Sequence, residues 1–550
     1  MSSESKDPLK IIEALEGIIY VKDEEIAGYK SEIALLTEEV KRLNAAYFGR
    51  SSERHVDPAD PLVDAFDEDK APDSGTDEDQ EDSAEVETIT YTRKKKGGVP
   101  GRKALPDYLE RVRVEYALPE SELIAPEGFM FVKIGEVITE TLEIIPAKVY
   151  VIQHVRFQYA CREREEYGVK LAPVPEQVIP KSIANPGLLA HVLVQKYCYH
   201  LPLYRQEMIW RDLEVNLPRN TLCGWVLKCA EVLRPLGAVL QKEILKDGYV
   251  HADETPVSVL THKNGKAKTG EAREVKPDDA QVQKAYMWVY LNSFEHLVMY
   301  DYHDNRAGAC ARDYLKDFRG YIQSDAYSGY DALFQNKERI SVGCMAHARR
   351  KFASIVKVQK KHANGNHALK EIKALYTIEK EIREQKEKDL AAGVPIDYEA
   401  IKQKRVKEAA PILCKLKSWM DDLSPKAPPK GLLGKALAYS LNNWAELTCY
   451  LKEGYLDIDN NAVENAIRPF AIGRKNWLFC GNDEGARAAA LIYSLIESAK
   501  ANHLKPFEYL KYVLTEVKRT TTEEALLKLL PHYAKLDLSL GLHYKADELL

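Results

Sequence analysis

A negative charge interrupts a run of residues that otherwise reads as a buried strand. In GYVHADETPVSVL, from Gly248, apolar and β-branched residues recur and Asp253 stands in the middle. Strand interiors disfavour Asp, and a carboxylate removed from water is costly unless something compensates it. Whatever this segment folds into must therefore give Asp253 a partner. The next segments supply a frame for one. AYMWVYLN (285–292) and HLVMYDYH (296–303) read as two further strands, and a helix is predicted over 306–318. GYIQSDAYSGY gives a fourth strand ending at Asp325, and ISVGCMAHARRKF a fifth strand running into a helix. This succession suggests an α/β mixed sheet of the ribonuclease H type. There Asp253 and the end of a neighbouring strand can lie side by side. Two such carboxylates repel unless a divalent cation neutralises them.

A third acid, Glu464, lies in LDIDNNAVENAIRPFAIGRKNWLF. Asp459 or Asn460 can cap a helix in which Asn461, Glu464, Asn465 and Arg468 recur at helical spacing. Arg474, Lys475 and Trp477 follow. Taken alone, Glu464 beside Arg468 reads as a surface ion pair more often than as a catalytic acid. In CMAHARRKF, Cys344 and His347 stand at Cys-x-x-His spacing, a possible zinc pair that two ligands do not complete. A structural role suits them better, and Arg349, Arg350 and Lys351 are candidate phosphate contacts.

The remaining chain reads as a series of modules. Ile12, Ile19, Ile26, Ile33 and Val40 recur every seven residues, with Leu15, Lys22, Tyr29, Leu36 and Leu43 three places later. That pattern fits a parallel two-stranded coil over 1–50, with a single amphipathic helix as the plain alternative. Residues 57–88 hold 14 acidic residues against one Lys, so the rest of the chain carries +7 within a net charge of −6. Few large apolar residues occur there, and 51–92 is predicted to be a disordered linker. The basic RKKKGGVPGRK follows, suited to phosphates or simply to solvent. Short β-like runs, including VYVIQHVRFQYAC, place a β-rich module within 93–175. Between 176 and 245, YRQEMIWRDLEVNLPRNTLCGWVLKCAEVL reads as helix, break, helix: Pro218 closes the break, and Asn220 or Thr221 is expected to cap the second helix. Arg219 then sits where a helix-turn-helix would meet DNA, although helix pairs without that role are common. No apolar run approaches the ~18 residues needed to span a bilayer, and the polar first ten residues lack a secretory core, so a cytoplasmic protein is expected. Nine scattered cysteines without a Cys-x-x-Cys pair argue against a disulfide framework.

Taken together, HADETPV, SDAYSGYDAL, CMAHARRKF, DNNAVENAIRPFAIGRKNWLF and HLPLYRQEMIWRDLEVNLPRNTLCGWV resemble the insertion-sequence-66 (IS66) family of transposases over nearly the whole chain. The resemblance implies a DDE triad of Asp253, Asp325 and Glu464, separated by 72 and 139 residues. It implies two Mg²⁺ ions (with Mn²⁺ as a substitute) held by the three acids. Cleavage at transposon ends would be followed by joining to target DNA. The long second gap implies a helical insertion at 356–434, dividing the core into 246–355 and 435–505, with a helical tail at 506–550. Asn460, Asn461, Arg468, Arg474, Lys475 and Trp477 become candidate DNA contacts, with core packing a competing role for Trp477. The implied partners are double-stranded DNA, a second copy or a larger synaptic oligomer, and small accessory proteins of the same element, without a membrane. The implied setting is bacterial, cytoplasmic and nucleoid-associated. One departure stands out: the stretch matching the family's zinc-binding segment, 105–167, retains only Cys161, so a metal-free β-module is expected. A nuclease that does not join ends, or an inactive relic that binds DNA, are the other readings.

Overall fold

The computed structural model describes residues 22, 36, 37, 40, 149–160, 169–171, 176–262, 280–335, 338–360 and 362–534. The expected coiled coil (1–50), acidic linker (51–92) and basic segment (93–103) lie outside these, save four helical positions, Lys22, Leu36, Thr37 and Val40.

The chain divides into two units, 67–175 and the remainder. In the smaller, Gln158–Ala160 and Val169–Leu171 pair as an antiparallel ribbon. The β-run expected across VYVIQHVRFQYAC is confined to that first short strand. Residues 149–157 have no regular structure, and Val151, Val155 and Phe157 are exposed. Without a packed face, alternation alone does not hold a strand.

The larger unit is built on a five-stranded mixed sheet. Its strands are β1 (Tyr249–His262), β2 (Ala280–Asn292), β3 (Leu297–His303), β4 (Gly320–Gln323) and β5 (Arg339–Val342), ordered β3-β2-β1-β4-β5. β1, β2 and β3 form an antiparallel meander, whereas β4 runs parallel to both β1 and β5. In β2, Met287, Trp288, Val289 and Tyr290 are all fully buried, which requires cover on both faces of the sheet. Two glycines set the parallel register. Gly248 (φ +69°) precedes β1 and Gly320 (φ +124°) opens β4. A Cβ on Gly320 would come within 2.1 Å of the Gly248 carbonyl. That carbonyl accepts the Tyr321 N–H at 2.8 Å.

Helices cover the sheet. α1 (Pro186–Tyr197) is followed by α2 (Leu203–Asp212) and α3 (Arg219–Ile244), and these last two realise the helix, break, helix pattern. Pro218 occupies the N-cap position of α3 and no side chain caps it, so Asn220 and Thr221 lie inside the first turn. Leu222, Trp225, Val226, Cys229, Leu233, Leu236 and Leu240 form a buried stripe along α3 at helical spacing. α4 (Gly308–Tyr314) is shorter than the helix predicted over 306–318. Arg306 is drawn away to Glu254, and Arg339 donates to the carbonyls of Lys316 and Phe318, which a continuing helix would use.

A second hydrophobic core, distinct from the first, is built by α5 (Met345–Val358), α6 (Ala363–Ala391), α7 (Tyr398–Leu423) and α8 (Leu432–Asn442). Phe352, Ile372, Leu375, Leu413, Leu416 and Met420 meet there. α9 (Asn461–Trp477) and α10 (Asp483–Ala501) return to the sheet. Along edge strand β3, Ser498 and Ser494 of α10 accept the Val298 and Tyr300 N–H groups, both at 2.8 Å. α11 (Pro506–Glu516) places Tyr509, Leu510, Val513 and Leu514 in the main core, so residues 506–534 complete that core. Among the described residues, no helix is long and apolar enough to cross a membrane.

Candidate active site

Asp253 is the fifth residue of β1 and lies opposite Val289 of β2. On its other side β1 pairs with β4 as far as His251↔Gln323. Asp325 follows two residues beyond that last pair, and its charge reaches Asp253. β4 itself stops at Gln323, two residues short of the expected end. Beyond it the backbone turns sharply at Ala326 (φ +65°), a left-handed conformation that a residue with a Cβ adopts only where its surroundings enforce it. Tyr327 N–H donates to the Asp325 carboxylate at 3.0 Å, and the Tyr439 hydroxyl holds the Asp325 carbonyl at 3.1 Å.

Glu464 arrives on the first turn of α9. The helix start is fixed by Asn460, which is completely buried. Its side-chain amide donates to the Ala252 carbonyl at 3.0 Å, its Oδ1 meets His251 Nδ1 at 2.9 Å, and its backbone N–H donates to Cys344 Sγ at 3.2 Å. The residue before Asp253 is thereby tied to the residue one turn before Glu464. Further along α9, Arg474 donates to Thr255 Oγ1 at 2.6 Å and to the Pro256 carbonyl.

Burial, followed by the charges of Asp325, Glu254 and Glu464, pushes the Asp253 carboxyl well above the ordinary carboxylate range. Glu464 carries a cation: Arg350 of α5 donates to its two oxygens at 2.5 Å. His347 Nδ1 stands 3.7 Å from Glu464 Oε1, while His347 Nε2 faces Arg350 Nη1 at 3.2 Å. Burial, Arg350 and Lys351 push the His347 imidazole down to about 3, so it is neutral.

A fourth acid escaped the sequence reading. The Glu254 side chain is only 2% exposed and is paired with Arg306, which lies 3.9 Å from the Tyr327 ring centroid. Tyr330 OH donates to the second Glu254 oxygen at 3.1 Å. HADET holds Asp253 and Glu254 side by side; the signal that could have found Glu254 was a second charge in the same apolar run.

The other candidates scatter in position. Asn460 has no exposed surface, so the expected DNA contact is corrected to an internal tie. Arg350 is committed to Glu464 in this state. Asn461 and Lys475 are exposed along α9, Arg468 and Arg474 are half-buried, and Trp477 packs edge-on to Phe470 at 5.5 Å. Arg349 is half-buried, Lys351 lies over the Tyr439 ring at 4.5 Å, and Arg219 is exposed at the start of α3.

Asp253 thus answers to its own burial first and then to the charges of Asp325, Glu254 and Glu464. Among the described residues, the group that brings one metal-ligating atom each within 4.8 Å of one another is Cys344, His347 and Glu464. Burial, followed by the charges of Asp459 and Glu464, pushes the Cys344 thiol well above its ordinary value.

Comparison with known proteins decides the family. The model described as Transposase IS66 family matches residues 181–488, which contain all three acids. The chain belongs to the IS66 transposase family. The IS66 C-terminal element matches 494–532, and the model described as Transposase C of IS166 homeodomain matches 35–114. The zinc-finger binding domain of transposase IS66 matches 127–163. In this IS66 transposase that stretch holds a single cysteine, Cys161, and a single histidine, His154, which falls short of a tetrahedral zinc ligand set. Three similar proteins come from Sinorhizobium fredii (strain NBRC 101917 / NGR234). The uncharacterized protein y4jD is 32% identical over 79% of this chain and 82% of its own length. The uncharacterized proteins y4qI and y4hP are 29% and 27% identical, covering 79% and 88% of this chain and 78% and 86% of their own.

Proposed function

We propose that this IS66 transposase is a DDE-type polynucleotidyl transferase that cleaves DNA at the ends of its element and joins the freed 3′ hydroxyls to target DNA. Asp253, Asp325 and Glu464 are its catalytic acids. The observation that carries this reading is the tie of Asn460, one turn before Glu464, to Ala252 and His251 beside Asp253; in keeping with it, burial and then the charges of Asp325, Glu254 and Glu464 raise the Asp253 carboxyl. Assignment of the sheet to the ribonuclease H type is supported by the order β3-β2-β1-β4-β5, an antiparallel meander extended by parallel strands.

Two Mg²⁺ ions, for which Mn²⁺ can substitute, would supply Lewis acidity for the attacking and leaving oxygens of an in-line displacement at phosphorus. The protein's part is to hold the oxygen donors. β1 and the turn after β4 fix Asp253 and Asp325, and Asn460 fixes the helix bearing Glu464. Arg350 neutralises Glu464 in the free protein. With Arg349 and Lys351 on the same turn of α5, it is a candidate for backbone phosphates. Asn461, Arg468, Arg474, Lys475 and Trp477 along α9, together with Arg219, are proposed to line the path of double-stranded DNA. Cys344 and His347 are assigned a structural role, with Cys344 receiving the Asn460 N–H and His347 facing Glu464. Two ends must be cut together, so we place the reaction in a dimer or larger synaptic assembly, paired through residues 1–50 and aided by accessory proteins of the element in the bacterial nucleoid.

Asp253→Asn tests the reading. It is expected to lower Mg²⁺-dependent cleavage by roughly a thousandfold or more while sparing DNA binding. Pre-cut ends offered to the parent protein should give joined product. Cleavage without joining would instead identify a nuclease, and undiminished cleavage by Asp253→Asn would remove that residue from the mechanism.

A further inference from the structure

The helices between the second and third acids grip the segment that delivers the third. Arg405 of α7 is 1% exposed. Its Nε and Nη2 donate to the two carboxylate oxygens of Glu379 on α6 at 2.8 and 2.7 Å. Its Nη1 faces the carbonyls of Tyr450, Glu453, Gly454 and Leu456 at 3.4, 3.2, 3.3 and 2.8 Å. A guanidinium removed from water is tolerated only when its donors are satisfied, and here the acceptors other than Glu379 belong to one short strap, 450–456. The strap is pressed against the start of α7: a Cβ on Gly454 would come within 1.8 Å of the Tyr398 carbonyl.

The residues that follow are held from two sides. Tyr376 OH of α6 donates to Asp459 Oδ2 at 2.7 Å. From β1, His251 Nε2 meets Asp457 Oδ2 at 3.1 Å, and Tyr249 OH accepts the Asp457 N–H at 3.0 Å. Asn460 and the first turn of α9 come next, with Glu464 on that turn. We propose that Arg405 and Tyr376 are positioning residues, through which α6 and α7 clamp the 450–459 strap and so fix Glu464 beside Asp253 and Asp325. The inference rests on the reading of Glu464 as a metal-holding acid. It gives the long gap between the second and third acids a task.

The test is Mn²⁺ titration of the full-length protein, read by electron paramagnetic resonance at a temperature where circular dichroism reports each variant folded. Tyr376→Phe and Arg405→Lys are compared in the parent and in a Glu464→Gln background. Each is expected to weaken Mn²⁺ binding roughly tenfold in the parent. In the Glu464→Gln background each should change it by less than about twofold, because the group being positioned is gone. Equal losses in both backgrounds, or no loss in the parent, overturn the clamp. Where Arg405→Lys does not fold, Tyr376→Phe decides. If Glu464→Gln itself leaves Mn²⁺ binding unchanged, the metal reading fails. The clamp is then judged by amide hydrogen exchange over 457–464: faster exchange in Tyr376→Phe supports it, and unchanged exchange overturns it.

Discussion

Asp253 could be singled out from the sequence because it interrupts a largely apolar, strand-like run, and the fold gives that anomaly a physical form. Its carboxyl is raised by burial and by Asp325, Glu254 and Glu464. The sign of the pH effect follows from linkage. With the folded value above the unfolded one, the metal-free protein keeps this contribution below the unfolded value and loses it as pH rises through the folded one. The metal-free parent should therefore lose melting temperature relative to Asp253→Asn as pH rises above the ordinary carboxylate range, and adding Mn²⁺ should narrow the difference. A thermal-shift series in chelator and in Mn²⁺ checks this. Asn460 shows where residue-level reading ran out. DNNAVEN marks it as a cap, but its burial and three tertiary hydrogen bonds depend on β1 and Cys344, far away in sequence. Asn460→Ala should cost about 2 kcal/mol or more, because buried partners on β1 are left unsatisfied.

At the scale of elements, strands were legible where apolar residues ran continuously, and their ends were not. β1, β2, β3 and β5 fall near the expected segments, whereas β4 ends before Asp325 and α4 is trimmed at both ends. In each case a tertiary group takes over the backbone partners: Tyr439 at the Asp325 carbonyl, Arg339 at the carbonyls beyond α4. The edge of β3 shows the same principle. Ser494 and Ser498, one helical turn apart on α10, serve as hydrogen-bond partners for a strand edge. Ser498→Ala strips the acceptor from the buried Val298 N–H and is expected to cost about 1–3 kcal/mol, seen as a lowered melting temperature with little change in DNA binding. Gly320→Ala attacks the β1–β4 register directly, since its Cβ has no room against Gly248. It should weaken Mn²⁺ binding as well as stability.

For the whole molecule, family membership followed from motifs spread across the chain, whereas the tie between β1 and the start of α9 required the fold. Charge and periodicity say nothing about which helix lies over which strand; Asn460, Arg474 and the strap before α9 do. The segment matched to a zinc finger has donors only in His154 and Cys161. Elemental analysis of the purified protein is expected to find no stoichiometric zinc, and a full equivalent lost on Cys161→Ser would reverse that view. The most direct measurement of the central claim is the anomalous scattering of Mn²⁺ soaked into crystals of the protein. The expected result is metal density bonded to carboxylate oxygens of Asp253, Asp325 and Glu464 together. Density confined to Cys344 and His347, or none near Asp253 and Asp325, would contradict the account.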